Sequence, residues 1–353
     1  MNSSSSENSP DRFAGVLLGT AVGDALGLPA EGLGPQVIAR RWKGVWRHRF
    51  VFGRGMLSDD TEHTVMVAQC LLEHPTDPEA FQRALAWRLQ GWLLALPAGV
   101  GLATARAILK LWVGFPSHRS GVASAGNGPA MRSAVIGVFF ANDEERRRRF
   151  VEASTRLTHT DPRALTAALA VAEVAAAVCN ARAHEFSFSE LGHLSREPEW
   201  GRIVEELERA RADGVGVADF AKRLGLEKGV TGYGFHTVPV ALYAWWRHRR
   251  DYRGTLTAVL DCGGDTDTVG AIAGALAGAE VGAAGIPAEF VDGIVEWPRS
   301  MGWLRRLADR LRQRAQTCEP SKALPVFWPA ILPRNVVFLL LVLTHGFARL
   351  IPR

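Results

Sequence analysis

Residues 261–282 read DCGGDTDTVGAIAGALAGAEVG, and this stretch decides the fold. Asp261, Asp265 and Asp267, with hydroxyls at Thr266 and Thr268, stand just before a run of small residues. Carboxylates this close in sequence repel one another unless a cation or solvent intervenes. Gly263 and Gly264 let the chain turn tightly ahead of the last two acids. Beyond them Gly270, Gly274, Gly278 and Gly282 recur four apart, which stacks them on one helical face. A face without side chains admits another backbone, so the acidic turn is expected inside the molecule.

The same ladder opens the chain. Residues 13–32 read FAGVLLGTAVGDALGLPAEG and place Gly15, Gly19, Gly23 and Gly27 four apart. Two faces lacking side chains suit each other, so these helices are expected to be neighbours, with contact near residues 19 and 274. Pro29 is expected to end the first helix. Asp24 and Glu31 fall at or beyond its carboxyl end, where a carboxylate opposes the helix dipole. They are therefore either compensated by something else or simply exposed.

The chain has 353 residues, 47% of them hydrophobic, enough for one large core or two modest ones. Alanine, leucine and arginine dominate and strand-type alternation is scarce, which predicts an all-α, single-domain, compact multi-helix fold. A formal charge of +5 is mild for this length. The arginines are scattered, so solvated helix faces are expected and nucleic acid is not. Cys70, Cys179, Cys262 and Cys318 form no CxxC pair, which argues against structural zinc and a disulfide framework. Cys262 reads as a reactive thiol or a buried spectator.

Residues 1–11 are polar with no apolar stretch, and are expected to be a disordered tail of a cytoplasmic protein. The catalytic body is expected over 12–312 and an extension with a short apolar helix over 313–353. Within that extension residues 336–343, VVFLLLVL, are unbroken in their apolarity. Alone they are shorter than the roughly 17 apolar residues of a bilayer span. A docked helix is expected; a membrane-surface foot over 325–353 is the other reading.

A second acidic knot, Ser58-Asp59-Asp60-Thr61, precedes an amphipathic helix. Asp59 with Glu62 fits a helix cap and capping box, and Asp265 fits a cap as well. A cap needs one acceptor, however, and both knots supply near-adjacent carboxylates and a hydroxyl. Together they point to a metal. Asp, Ser and Thr oxygens without His or Cys suit Mg²⁺ or Mn²⁺ rather than zinc. Five carboxylates (Asp59, Asp60, Asp261, Asp265, Asp267) could serve two ions on the order of 4 Å apart. The turn from Ser124 to Arg132, SAGNGPAMR, offers N–H groups to an anion or is an ordinary connection. His159, before a long alanine-rich helix, is a helix-entry residue or a ligand contact. Tyr233, Phe235 and His236 form a stacking surface or belong to the core. Residues 40–54, basic and aromatic, read as a loop or lid, and 184–230 as a polar outer segment.

Taken in order, GVLLGTAVGDALGLPAEG, SDDT, SAGNGPAMR, THTDPRA, GYGFHTVPVALYA and GGDTDTVGAIAGALAGA resemble the ADP-ribosylglycohydrolase family over about residues 12–305. The resemblance implies an all-α fold around a central binuclear site for two Mg²⁺ (or Mn²⁺). It implies a metal shell of Ser58, Asp59, Asp60, Asp265, Asp267 and Thr268, with Asp267 as the bridge and Asp24 behind it. It further implies that Asp59, Asp60 and Glu31 serve catalysis, Asp60 holding or deprotonating the attacking water. Ser124, Gly126, Asn127, Gly128 and Met131 would face the ribose and diphosphate, and His159 and Tyr233 the distal ribose and adenine. Ser58 stands where threonine is common, and Asp161 where some members carry a second histidine. The activity implied is metal-dependent hydrolysis of the bond between ADP-ribose and an acceptor, a protein side chain such as arginine or serine or a small conjugate. A non-catalytic ADP-ribose binder and a metal-dependent phosphohydrolase are the alternatives. Acceptor choice would lie with residues 32–57 and 184–230.

Overall fold

A computed structural model describes residues 11–180 and 182–350. The chain opens with helix α1 (Arg12–Gly27), α2 (Pro35–Trp42), α3 (Asp59–Glu73), α4 (Pro78–Leu94) and α5 (Leu102–Trp112). It continues through α6 (Gly128–Met131), α7 (Ala134–Phe139), α8 (Glu144–Arg156) and α9 (Pro162–Cys179). Next come α10 (Pro198–Asp213), α11 (Val217–Arg223), α12 (Gly234–Arg247) and α13 (Tyr252–Leu260). The last are α14 (Thr266–Val281), α15 (Ala288–Asp292), α16 (Met301–Thr317) and α17 (Ile331–Leu350). Among the described residues β-structure is limited to isolated bridges, so the all-α expectation holds.

Helices α1 and α14 run antiparallel at the centre, backbone against backbone. A Cβ on Gly15 would lie 2.0 Å from the Gly278 carbonyl oxygen, one on Gly19 2.1 Å from Gly274, and one on Gly23 2.0 Å from Gly270. The two glycine ladders therefore interlock in the register that the sequence suggests. Helices α9 and α12 pack around this pair, and α13 and α16 flank it. The pairing leaves α14 with its amino terminus beside the carboxyl end of α1.

Beside that end, Gly263 and Gly264 take φ of 69° and 84°, a left-handed conformation that side chains disfavour. Two other segments clasp this turn. The Gly32 amide donates to the Gly264 carbonyl at 2.7 Å and Gly264 donates to Leu33 at 2.8 Å. From the other side Val230 donates to Gly263 at 2.9 Å and Asp265 donates to Val230 at 2.8 Å. A Cβ on Gly264 would meet the Val230 oxygen at 1.9 Å.

Several expectations change. Of the expected tail, residues 1–10 lie outside the described residues, while Asp11 caps α1 through the Ala14 amide at 3.1 Å. The first helix ends at Gly27, and Pro29 sits in a short 3₁₀ turn. Residues 40–54 are no free lid: α2 occupies part of them, and Trp42, Trp46 and Phe50 are buried. Asp261 is withdrawn from the acidic cluster because its carboxylate accepts the Trp46 indole N–H at 2.8 Å. Helix α16 runs through residue 312, and the strap after it is tied to α3 by paired Gln69–Leu324 bonds of 2.7 and 2.8 Å. The apolar run 336–343 belongs to a 20-residue helix rather than a short one. Cys262 is buried, and burial pushes its thiol up to about 12, which leaves it the spectator.

The ladder contact makes a specific demand on stability. Gly19→Ala places a methyl against a backbone oxygen that has no room to yield, and should cost about 1–3 kcal/mol or more. Gly91→Ala in α4, where a Cβ meets nothing within 4 Å, should instead stabilise by about 0.8–1 kcal/mol through helix propensity. Urea denaturation of the two variants measures both signs.

Candidate functional site

The amino termini of α3 and α14 converge on one cleft. Asp59, Glu31, Asp265, Asp267 and Thr268 line it, facing a wall of Ser124, Gly126, Asn127, Gly128, Met131 and His159. Its volume is about 320 Å³. A larger hollow of about 640 Å³ between α4 and Phe115 carries no comparable set of donors.

Neither acidic knot is used as a cap. Ser58 and Asp265 occupy the N-cap positions of α3 and α14, yet neither side chain makes a capping bond. For α3 the capping acceptor comes from another helix. The buried Asp24 carboxylate accepts the Ser58 amide at 2.9 Å, the Thr61 amide at 3.2 Å and the Thr61 hydroxyl. This also answers the unfavourable place of Asp24 at the end of α1, since the positive end of α3 compensates it. Glu62 closes no capping box either. It takes the Trp92 indole N–H at 2.6 Å and pairs with Arg299 at 2.7 Å.

What remains is a set of hard oxygen donors with unmet demand. Ser58 Oγ and Asp60 Oδ1 are buried and have no hydrogen-bond partner. Asp60 Oδ2 accepts a long bond of 3.3 Å from the Thr268 hydroxyl. Asp267 is buried and accepts the Thr268 amide at 2.9 Å. Asp265 is oriented by Asn127, whose amide donates at 2.6 Å. Unpaired buried oxygens are expensive, so their retention in one place calls for a ligand.

The electrostatics agree. Burial, then the charges of Asp24 and Glu31, raises Asp59 well above the usual carboxylate range. Burial and the neighbouring Asp59, Asp24 and Asp265 raise Asp60 likewise, and burial with Glu31 and Asp265 raises Asp267. Burial lifts Asp24 to about 6 against the pull of its hydrogen bonds. Such a cluster favours protons or cations over bare negative charge. The donor set fits Mg²⁺ or Mn²⁺ by chemistry. It is gathered rather than closed: among the described residues no three Asp, Glu, His or Cys side chains already surround a common point.

The opposite wall is built around Arg132, a residue of the SAGNGPAMR motif to which the sequence assigns no role. Its fully buried guanidinium binds the Ser154 hydroxyl at 3.0 Å, the Thr158 hydroxyl at 2.8 Å and His63 Nδ1 at 3.1 Å. Thr158 in turn contacts His159 Nδ1 at 2.9 Å. Arg132 thus ties the glycine turn to the loop that presents His159, whose ring stands beside Gly126 and Gly128. Thr104 and the loop through Gly99 and Gly101 also border the cleft. These are unremarkable residue types with no motif to mark them. Tyr233 does not line the cleft. Its hydroxyl donates to Glu199 at 2.9 Å, Arg163 lies over its ring, and only its backbone pairs with Gly126. Glu199 comes from the polar segment 184–230, none of whose residues lines the cleft. His236 bonds Thr231 at 2.9 Å, and Phe235 is buried in the core.

A family model described as ADP-ribosylglycohydrolase matches residues 5–321. A curated but uncharacterized protein of Archaeoglobus fulgidus is 32% identical over 85% of this chain and 96% of its own. The ADP-ribosyl-[dinitrogen reductase] glycohydrolase of Rhodospirillum rubrum is 27% identical, covering 84% and 90%. The ADP-ribosylarginine hydrolase Tri1 of Pseudomonas putida is also 27% identical, covering 90% and 82%. A solved structure titled ADP-ribosylglycohydrolase-related protein complex superposes with a TM-score of 0.65 at 26% identity, covering 86% of this chain and 98% of that one.

The imidazole of His159 gives a direct check on the wall. Burial, with Arg132 nearby, lowers its pKa to about 3, so the ring is neutral in the fold while the unfolded chain protonates near 6.5. A lowered histidine supports the fold fully above pH 6.5 and loses that support as pH falls towards 3. The His159 ring resonances should therefore stay constant in NMR from pH 8 to 5. The urea midpoint of His159→Gln should fall less than that of the wild type between pH 6.5 and 4. A ring that titrates near 6 would contradict the buried, neutral assignment.

Proposed function

Since the chain belongs to the ADP-ribosylglycohydrolase family, we propose that it hydrolyses the glycosidic bond between ADP-ribose and an acceptor with the help of two Mg²⁺ or Mn²⁺ ions. The observation that carries this reading is the buried, unpartnered pair Ser58 Oγ and Asp60 Oδ1 at the meeting of two helix amino termini. A protein that merely kept the fold would have little reason to leave these oxygens unpaired.

Ser58, Asp59 and Asp60 from α3, with Asp265, Asp267 and Thr268 from α14, would hold the ions. When bound, the ions supply Lewis acidity that makes water a nucleophile at neutral pH and fixes the vicinal hydroxyls of the scissile ribose. The rest falls to the chain. Asp60, the more deeply buried neighbour of Asp59, holds the attacking water and takes its proton. Glu31 stands at the mouth of the cleft, near enough to Asp59 and Asp267 to raise both, and orients the incoming ribose. The Gly126–Gly128 turn lets the backbone approach the ribose and diphosphate, and Met131 supplies an apolar floor. His159, neutral, donates or accepts at the distal ribose without adding charge. The attack passes through an oxocarbenium-like state, so the fixed carboxylates also stabilise positive charge that develops on the sugar.

The relatives named for ADP-ribosylarginine and ADP-ribosylated dinitrogen reductase make a protein-linked substrate the first choice. The test is release of free ADP-ribose from arginine-linked, serine-linked and O-acetyl forms, with Mg²⁺ and with EDTA. Metal-dependent release from one of these is expected. Asp60→Asn should lower it by about 10²- to 10⁴-fold while the circular dichroism spectrum is kept. Release that persists in EDTA, or survives in Asp60→Asn, would refute the metal assignment. Tight binding of ADP-ribose with no release would support the non-catalytic alternative.

A further inference from the structure

The family match ends at residue 321, and helix α17 lies wholly beyond it. Its buried side is firmly attached. Arg334 pairs with Glu296 at 2.6 Å and donates to the Leu57 carbonyl, and Asn335 donates to the Ala95 carbonyl at 2.8 Å. Phe338 packs on Phe50 at 5.3 Å between ring centres, and His345 both stacks on Phe50 and donates to its carbonyl.

The other side is bare. Leu332, Val336, Val337, Leu340, Leu343 and Phe347 are all exposed and share one helical face. Within residues 328–347 an 18-residue window has a mean hydropathy of 1.6, so the helix is long and apolar enough to cross a membrane by length and composition, and 22% of that window is buried. The other described helices that meet this criterion, at 12–30 and 162–179, are mostly enclosed, with 94% and 67% buried. The apolar surface also continues past both ends of the face. Phe327 and Trp328 precede α17 and are exposed. At the far end the turn from Phe50 to Arg54, held by His345, thrusts out Phe52 with its side chain wholly in solvent.

We propose that α17 and the Phe50–Arg54 turn form a foot that seats the protein on an anionic lipid bilayer, with α17 lying in the plane of the interface. Two features choose this occupant over a protein. First, from Leu332 to Leu343 the outward side chains carry no hydrogen-bonding group, and Thr344 satisfies its hydroxyl on its own Leu340 carbonyl at 2.7 Å. Protein interfaces need about one hydrogen bond per 100–200 Å², whereas acyl chains need none. Second, the flanks are cationic. Residues 32–58 hold Arg40, Arg41, Lys43, Arg47, Arg49 and Arg54 and no acid, and residues 320–353 hold no acid either. In the fold Arg47, Arg49, Arg54 and Arg253 share one hollow with Glu289 and Asp292, which leaves its rim net positive. This charge suits phosphate and carboxylate headgroups at the edge of an apolar contact, and it would repel itself in a symmetric pair of feet. The polar ties of Arg334, Asn335 and His345 hold α17 on the body, so it lies on the membrane rather than crossing it.

Sedimentation with vesicles tests the proposal on the full chain, independently of any hydrolase activity. Phosphatidylcholine vesicles with phosphatidylserine should pellet the protein, and vesicles of phosphatidylcholine alone should pellet at least about tenfold less. Leu340→Glu with Leu343→Glu should reduce binding by at least about tenfold with an unchanged thermal melt, since both side chains are exposed. Lys43→Glu with Arg47→Glu should remove the preference for phosphatidylserine and its weakening by salt. No sedimentation, or equal sedimentation with neutral vesicles, overturns the proposal. A lipid-free dimer that the Leu340/Leu343 pair dissolves overturns it in favour of a second copy. Retention in cell membranes after alkaline carbonate washing overturns it in favour of a span.

Discussion

The cleft depends on one contact, the approach of α1 to α14 with nothing but hydrogen on the facing α-carbons. Side chains would hold the two axes apart. Glycine at every fourth position of both helices removes that spacer, and a Cβ at any rung of α1 would fall within 2.0–2.2 Å of a carbonyl oxygen of α14. Because the contact is backbone to backbone, it fixes register as well as distance. Sliding by one residue would drive a side chain into the partner. The carboxyl end of α1 is thereby set against the first turn of α14, where a Cβ on Gly27 would stand 2.6 Å from the Asp267 amide nitrogen.

From this register follows the division of labour among the acids. A carboxylate late in α1 is poorly placed for its own helix. It is well placed for α3, because Asp24 accepts the Thr61 amide that an N-cap side chain would ordinarily take. Ser58, the actual N-cap residue, is released from that duty. Its hydroxyl and the outer oxygen of Asp60 remain unpaired within a wall of protein. Asn127 performs the corresponding service for Asp265 by holding one carboxylate oxygen in place. The donors are thus positioned by Asp24 from behind and by Asn127 from the facing wall, and no Lys or Arg along the cleft lining relieves their mutual repulsion.

Much of this can be read in the chain because glycine spacing and adjacent aspartates are local signals. The ladders at 15–27 and 270–282 predict their own pairing, and the knots at 58–61 and 265–268 predict a shared site. Asp261 shows where such reading stops. Sequence places it with the other acids, but a tryptophan 215 residues away captures it. The basic, aromatic stretch 40–54 misleads for a similar reason. Trp42, Trp46 and Phe50 look like a mobile surface, and they bury themselves in partners that no local pattern names. Arg132 is the clearest omission. An arginine with no exposed surface is justified only by the three-dimensional meeting of Ser154, Thr158 and His63, none of which is its neighbour in sequence.

The carboxyl-terminal helix is where counting a run of letters fails for a physical reason. The eight residues 336–343 are apolar without interruption, yet the helix begins five residues earlier and its polar members, Arg334 and Asn335, are directed inward. An arginine that would end a hydrophobic tally on the page is, in the fold, satisfied by Glu296 and by the carbonyl of Leu57. Leu57 immediately precedes Ser58, so the same guanidinium braces the segment that delivers the first acidic knot to the cleft. In α17 Arg334 and Asn335 serve the interior, Ile331 and Phe338 pack beside them, and Leu332, Val336, Val337, Leu340 and Leu343 face outward, the reverse of an ordinary surface helix. Solvent alone does not stabilise that arrangement, and beside the side that needs a covering Arg47, Arg49, Arg54 and Arg253 outnumber Glu289 and Asp292.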